Sequence, residues 1–300
     1  MTTVRNITIA GASGSLGKLV VDALLASGKF TVQVLTRKES DAAFPPSVQV
    51  AAVDYNSVEE LVTVLRGQDI VIATFGTGAL ESQTPLIEAA IAAGVKRFIP
   101  SEFTADIGNP KAASLPQYAG QLRIQAALQK AANEHPDFTY TSIRNGVFLD
   151  WGLAMGFQVD LKSEHPAFYD GGDRPFSTTT LATAAQAVVG VLGHLEETKN
   201  RAVYVHDVVT TQRHLLSLAR KIAPERRWEP VSVGTENMER KARENLAQGR
   251  VDLVSTMGFY CRSVFAEGFG GEFARVDNEM LGLGYKTDAD LEIILKGVLQ

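Results

Sequence analysis

Two hydrophobic periods alternate along the first half of this chain. Val4 to Ala10 reads as a buried strand, and after a glycine-rich turn Leu16, Leu19, Val20, Ala23 and Leu24 fall at i, i+3, i+4, i+7 and i+8, one face of a helix. The alternation continues. Thr31 to Thr36 and Val48 to Val53 read as strands, and Asp54-Tyr55-Asn56-Ser57 starts a helix that ends near Arg66-Gly67. Asp69 to Thr74 is the next strand, broken at Phe75-Gly76. A helix from about Thr84 to Ala93 stops at Gly94, and Val95 to Pro100 is a fifth strand. Leu115-Pro116 opens a long helix to about Asn133, and Phe138 to Arg144 is a sixth strand. Alternating strand–helix units imply an α/β fold with a parallel, doubly wound Rossmann sheet. Ligands of such sheets bind beyond the carboxyl ends of the strands. Five loops converge there: Gly11–Gly17, Arg37-Lys38, Phe75-Gly76, Pro100-Ser101-Glu102-Phe103 and Asn145–Phe148.

The second half is less regular. Trp151 to Phe176 is rich in aromatic residues, Gly and His and reads as irregular cleft lining. Helices are expected over Thr180–Leu195, Thr211–Ile222, Thr235–Gln248 and Val254–Glu267, and from Lys286-Thr287-Asp288 to the end, with a short strand at Ala202–His206. The expected division is a dinucleotide-binding domain over 1–150 and a smaller, mostly helical substrate domain over 151–300. The boundary is soft, and segment 178–207 is a candidate to pack back on the sheet.

The glycines at 11, 14 and 17 carry the first chemical signal. One permits a tight turn, one lets backbone approach a pyrophosphate, and one packs the helix on the strand. Ser13, Ser15 and Leu16 belong to the same turn, and the helix start offers free N–H groups to phosphate. The alternative is an ordinary strand–helix turn that needs glycine. At the end of the second strand Arg37 and Lys38 stand where an NAD site would place an acid. Cations there suit a 2′-phosphate, so the cofactor expected is NADP(H); the alternative is a solvated strand end. With 29 basic and 34 acidic residues the net charge is −5, which argues against nucleic acid as the main partner. The single cysteine, Cys261, permits no internal disulfide, suits a reducing, cytoplasmic setting, and reads as a small buried hydrophobe. With a strand beginning by Val4, no signal peptide is expected. No apolar run has transmembrane length, and no metal motif stands out.

Gly11-Ala12-Ser13-Gly14-Ser15-Leu16-Gly17, Leu35-Thr36-Arg37 and Phe98-Ile99-Pro100-Ser101-Glu102-Phe103 together resemble the isoflavone reductase-like and NmrA-like families, atypical short-chain dehydrogenase/reductases. The resemblance is strong to about residue 150 and weaker beyond. It implies NADP(H) in an extended cleft, with Asn145 and Phe148 beside the nicotinamide and hydride transfer to phenolic or phenylpropanoid-type substrates. One departure matters. Where the reductases carry a catalytic Lys in a Phe-x-x-Lys segment, this chain reads Tyr118-Ala119-Gly120-Gln121, so Gln121 replaces the Lys. A Gln amide donates a hydrogen bond but releases no proton at useful pH.

Helical spacing puts Tyr118, Gln121, Ile124 and Leu128 on one face, so Tyr118 and Gln121 are expected to share the cleft, with Tyr118 as replacement acid or as a packed aromatic. Lys111, His165 and Tyr169 are further catalytic candidates, with solvated or surface roles as the alternatives for Lys111 and His165. Asp170-Gly171-Gly172-Asp173 reads as a tight turn, and Glu102 as a group that orients a ribose or backbone amides. The leading expectation is an NADPH-dependent reductase of a small aromatic, phenylpropanoid- or polyketide-like molecule. The alternatives are a non-catalytic NADP(H)-sensing regulator of the NmrA kind and a reused fold doing cyclisation or dehydration. The oligomeric state is open.

Overall fold

The computed structural model describes residues 4–250 and 253–300. The first half runs β1 (Asn6–Ala10), α1 (Ser15–Ser27), β2 (Thr31–Arg37), β3 (Gln49–Val53), α2 (Val58–Leu65), β4 (Ile70–Ala73), α3 (Gln83–Ala92), β5 (Arg97–Ile99), a short α4 (Pro110–Ala113), α5 (Ala119–Glu134) and β6 (Thr139–Arg144). The second half adds β7 (Val147–Phe148), α6 (Leu149–Ala154), β8 (Ala167–Tyr169), β9 (Phe176–Thr179), α7 (Leu181–Gly193), β10 (Arg201–Tyr204), β11 (Val208–Thr210), α8 (Gln212–Ile222), β12 (Val231–Val233), α9 (Thr235–Ala247), α10 (Leu253–Phe265) and α11 (Asp288–Leu299).

The central sheet has seven strands in the order β10-β6-β5-β4-β1-β2-β3, every neighbouring pair parallel. Helices cover both faces. Along β4, Ile70 and Ile72 join Ile7, Ile9 and Val34 beneath Val20 and Leu24 of α1 and Val188 of α7. Val71 and Ala73 point the other way, to Phe98 and to Leu61, Leu86 and Leu128 of α2, α3 and α5. A sheet buried on both sides needs apolar residues at successive positions, which is why its inner strands read as runs. The fold is a doubly wound α/β Rossmann sheet. The chain leaves β1 toward β2 and β3, then returns to build outward from β4. The winding therefore reverses between β1 and β4, where such sheets open a crevice.

The second half is tied to this sheet. β10 pairs with β6, and α7 lies against α1. A third core gathers Phe168, Phe176, Leu215, Leu218, Cys261, Phe265, Leu291 and Leu295. This corrects the reading of 151–176 as irregular cleft lining. The segment forms α6, β8 and the start of β9, and its aromatics other than the exposed Trp151 pack in that core: Phe168 and Phe176 are buried, and the Tyr169 and Phe265 rings stack at 5.0 Å. Composition alone does not separate a pocket wall from a core. α10 crosses α9 closely at Gly258, where a Cβ would stand 2.7 Å from the Met238 carbonyl oxygen. A fourth core joins Ala105, Ile107, Leu115 and Tyr118 of the first half to Phe259, Ala266 and Phe269 of the second, so α10 is laid over the loops that follow β5.

Candidate active site

The turn after β1 is built as the three glycines require. Gly11 has φ 84°, the left-handed region open to glycine. A Cβ on Gly17 would stand 2.3 Å from the Gly11 carbonyl oxygen, so only glycine lets α1 dock there. Gly14 is different. It is the N-cap of α1 with no side-chain cap and no acid in the first turn. A Cβ on it would meet nothing nearer than the Gly11 oxygen at 3.4 Å, so the protein itself leaves room there. Ser13, Gly14 and Ser15 are exposed and Leu16 is half-buried. The N–H groups of Ser15, Leu16 and Gly17 head the helix without intrahelical acceptors, which makes a cradle for an anion.

Arg37 ends β2, exposed and without a side-chain partner among the described residues. Lys38 is committed otherwise, its Nζ 2.7 Å from Glu60 Oε1. Tyr55 completes this corner. Its hydroxyl donates to the Leu35 carbonyl at 3.0 Å, and its ring meets Phe75 edge-on with centroids 5.3 Å apart. Burial pushes the phenol well above its ordinary value, against the pull of the Gly11 backbone and the Arg37 charge. The sequence carried Tyr55 only as part of a helix start.

The loops after β4, β5 and β6 are stitched together. Ser101 Oγ donates to the Phe75 carbonyl at 2.7 Å, and Ser101 N–H donates to Gln83 Oε1 at 2.8 Å. Gln83, one residue before the helix expected from about Thr84, is thereby the clamp between two loops; Gly76 lies in the loop it holds. Glu102 is not free to orient a ribose. Its carboxylate pairs with Arg144 Nε at 2.7 Å, both side chains buried. Arg144 also reaches Asp106 at 3.1 Å and the Tyr204 hydroxyl. Burial alone would lower the Arg144 pKa, but the Glu102 carboxylate overrides it and the net shift is upward. This network sits beneath Phe103, whose φ of 26° is strained for a bulky residue. Asn145 is fully buried. Its N–H donates to the Thr104 carbonyl at 3.2 Å, its carbonyl accepts from Thr179 Oγ1 at 2.6 Å, and its Oδ1 has no partner. Phe148 is half-buried two residues beyond Gly146.

The catalytic candidates do not come together. Tyr118 has no exposed surface. Its hydroxyl bonds Ser263 Oγ of α10 at 2.8 Å, its ring meets Tyr260 edge-on, and burial pushes its pKa up to about 12. The expectation that Tyr118 shares an open cleft with Gln121 is therefore corrected: helical spacing gives a face, and α10 covers that part of it. Gln121 is 7% exposed, and its Oε1 has no partner. Lys111 is exposed on α4 with Nζ over the Phe269 ring. His165 is exposed in a loop, its Nδ1 3.2 Å from the Glu229 carbonyl oxygen. Tyr169 packs on Phe265 with its phenol against the Cys261 thiol, and burial raises both groups, the thiol to about 12. Asp170 caps α9 through Thr235 N–H at 2.8 Å, and Asp173 pairs with Arg213, so that stretch is a turn. Two cavities of about 300 and 370 Å³ share Arg220 on the second half, and neither is lined by residues of the cleft. Among the described residues no helix is long and apolar enough to cross a membrane.

A reversed parallel sheet with an anion cradle at its switch point defines a protein of the dinucleotide-binding Rossmann class. Residues 3–223 match the NmrA-like family, and the chain belongs to that family. It is 34% identical over 296 residues to oxidoreductase aprR of Aspergillus flavus, covering 97% of this chain and 99% of that protein. It is 38% identical over 230 residues to oxidoreductase poxI of Penicillium oxalicum, covering 74% and 71%. Among solved structures it resembles AtPrR2 with NADP+ and (+)pinoresinol (TM-score 0.79, 21% identity, 98% and 100% covered). It also resembles isoflavone reductase (TM-score 0.76, 22% identity, 98% and 100% covered).

Proposed function

We propose that this protein is an NADPH-dependent reductase of a small aromatic, phenylpropanoid- or polyketide-like molecule. One observation carries the cofactor assignment: the exposed Gly14 cradle and the unpartnered Arg37 lie at the ends of adjacent parallel strands. The names of the fungal oxidoreductases and the NADP+ held by AtPrR2 support the same reading. When bound, NADPH supplies a hydride. The N–H groups of Ser15, Leu16 and Gly17 would hold the pyrophosphate and Arg37 the 2′-phosphate. The buried, unpaired Asn145 Oδ1 suits a carboxamide N–H, with Phe148 alongside. Gln121 would hold the substrate oxygen by a hydrogen bond. It cannot release a proton, and Tyr118 is committed to Ser263, so the proton that completes reduction comes from water.

A non-catalytic NADP(H) sensor is the second reading. It is favoured by the commitment of the Tyr118 hydroxyl to Ser263 and by the burial of Phe168 and Phe176 in a core. NADPH absorbance followed over a panel of enones and aromatic ketones separates the two. Substrate-dependent oxidation supports the reductase; calorimetric NADPH binding with no turnover across the panel overturns it in favour of the sensor.

A further inference from the structure

Arginine gathers on one side of the second half. Between residues 213 and 227 the chain carries Arg213, Arg220, Lys221, Arg226 and Arg227 against one carboxylate, Glu225, although its net charge is −5. Arg213 and Arg220 are two turns apart on α8, on one face with Leu216 between them. Facing them is the strand pair β8–β12, whose register sets Phe168 beside Ser232. The cavity of about 300 Å³ lies between, lined by all five and by Pro230. The cavity of about 370 Å³ shares Arg220 and adds Arg226, Arg227 and Trp228, with Glu229 as its one acid.

Some of this charge is already balanced. Arg213 lies over the Phe168 ring at 5.3 Å and gives Nε to the Gly171 carbonyl and to Asp173. Arg220 gives one Nη to the Trp228 carbonyl at 2.7 Å, and Arg226 gives one Nη to the Leu299 carbonyl at 3.0 Å. A carbonyl oxygen orients a guanidinium without neutralising it. A guanidinium has five N–H donors, and Arg220 pairs with no carboxylate among the described residues. Its charge therefore stands uncompensated where the two cavities meet, held in place by the Trp228 carbonyl.

We infer that the cavity between α8 and β12 binds an aromatic carboxylate, with Arg220 as its anchor. The site shares no residue with the dinucleotide cleft, so the inference does not rest on the reductase reading. The lining selects the ligand. A guanidinium fork matches a carboxylate, and it stacks readily on flat apolar groups. An inorganic anion would satisfy the charge and leave the apolar wall of Phe168, Leu216 and Pro230 uncovered. A neutral aromatic molecule would cover that wall and leave the guanidinium N–H groups unpaired. A cation would be repelled. An acid on an aromatic body does both tasks, and the volume is at the lower end of those that hold small ligands.

The test uses the full chain saturated with NADP+, which occupies the cleft. By calorimetry at low salt the wild type should bind 2-naphthoate about tenfold tighter than 2-naphthamide, its uncharged counterpart, and the preference should shrink as salt screens the charge. Arg220→Met should bind the two alike. Ser232→Phe fills the cavity from its exposed wall with every guanidinium kept, and should bind neither. Arg66→Gln removes an equal charge from the end of α2, lines neither cavity, and should keep the wild-type preference. Equal wild-type affinity for acid and amide overturns the inference, and so does no binding of either. A preference that survives in Ser232→Phe overturns it as well, because the acid would then sit elsewhere. Loss of the preference in Arg66→Gln would reduce it to net charge and also overturn it. Should Arg220→Met melt early for want of its bond to Trp228, Ser232→Phe still decides.

Discussion

Gly14 and Gly17 sit three residues apart in one turn and answer to different constraints. Gly17→Ala would press a Cβ to 2.3 Å from the Gly11 oxygen, so the expected result is a marked loss of Tm. Gly14→Val meets no such contact, and the expected result is a near-wild-type melt with NADPH binding lost; differential scanning fluorimetry and calorimetry on the pair read both. Arg37→Ala should weaken NADPH by about ten- to a hundredfold and leave NADH almost unchanged, the signature of a charge-assisted phosphate contact. Equal wild-type affinity for the two cofactors would defeat that assignment. Tyr118→Phe shows where the sequence misleads. Its spacing from Gln121 suggests a proton donor, but its hydroxyl is spent on Ser263. The expected outcome is about 0.5–1.5 kcal/mol lost in urea unfolding with kcat unchanged. A tenfold fall in kcat would restore Tyr118 as the acid.

Among elements, the loop after β5 depends most on partners far along the chain. Phe103 holds a strained φ because Glu102 is fixed to Arg144, and Thr104 bridges the Arg144 backbone. Glu102→Gln leaves the Arg144 guanidinium buried with Asp106 as its remaining carboxylate. Losing one partner of a buried pair costs about 3 kcal/mol. NADPH affinity should fall with it, because the same loop carries Ser101 and touches Asn145; urea unfolding and calorimetry check the two together. The sequence told much about the strands and helices of this half and little about such ties. β1, β2 and β4 are legible because both sheet faces are buried, and α1 because its face repeats over two turns. β7, β8, β11 and β12 span two or three residues each, too short for any period to register. Gln83 and Tyr55 gave no signal of their roles, since each takes its role from residues distant in sequence.

On the scale of the whole molecule, β9 is tied through His206 to the segment before α11, and that joint titrates. His206 Nδ1 lies 3.0 Å from Ser177 Oγ, and Ser177 Oγ already accepts from Phe273 N–H at 3.0 Å. Ser177 therefore has its proton to give, and His206 receives it as a neutral ring. The His206 carbonyl accepts from Asn278 Nδ2 at 2.8 Å, and Tyr285 covers the ring. Burial lowers the His206 pKa, more than the neighbouring Asp207 carboxylate raises it. The sign follows from linkage. Above the unfolded value of about 6.5, folded and unfolded chains are both neutral at this position and the full stability is present. As pH falls below that value, the unfolded chain takes up the proton first and so binds more protons than the folded one. Stability then declines until the folded value is passed. Tm should accordingly drop between pH 7.5 and 5.5, above the range where carboxylates protonate. His206→Gln, which keeps a hydrogen-bonding side chain but removes the titration, should flatten that part of the profile. A wild-type Tm that is level or rising over the same interval, or a His206→Gln profile that falls as steeply, would assign the acid sensitivity to other groups.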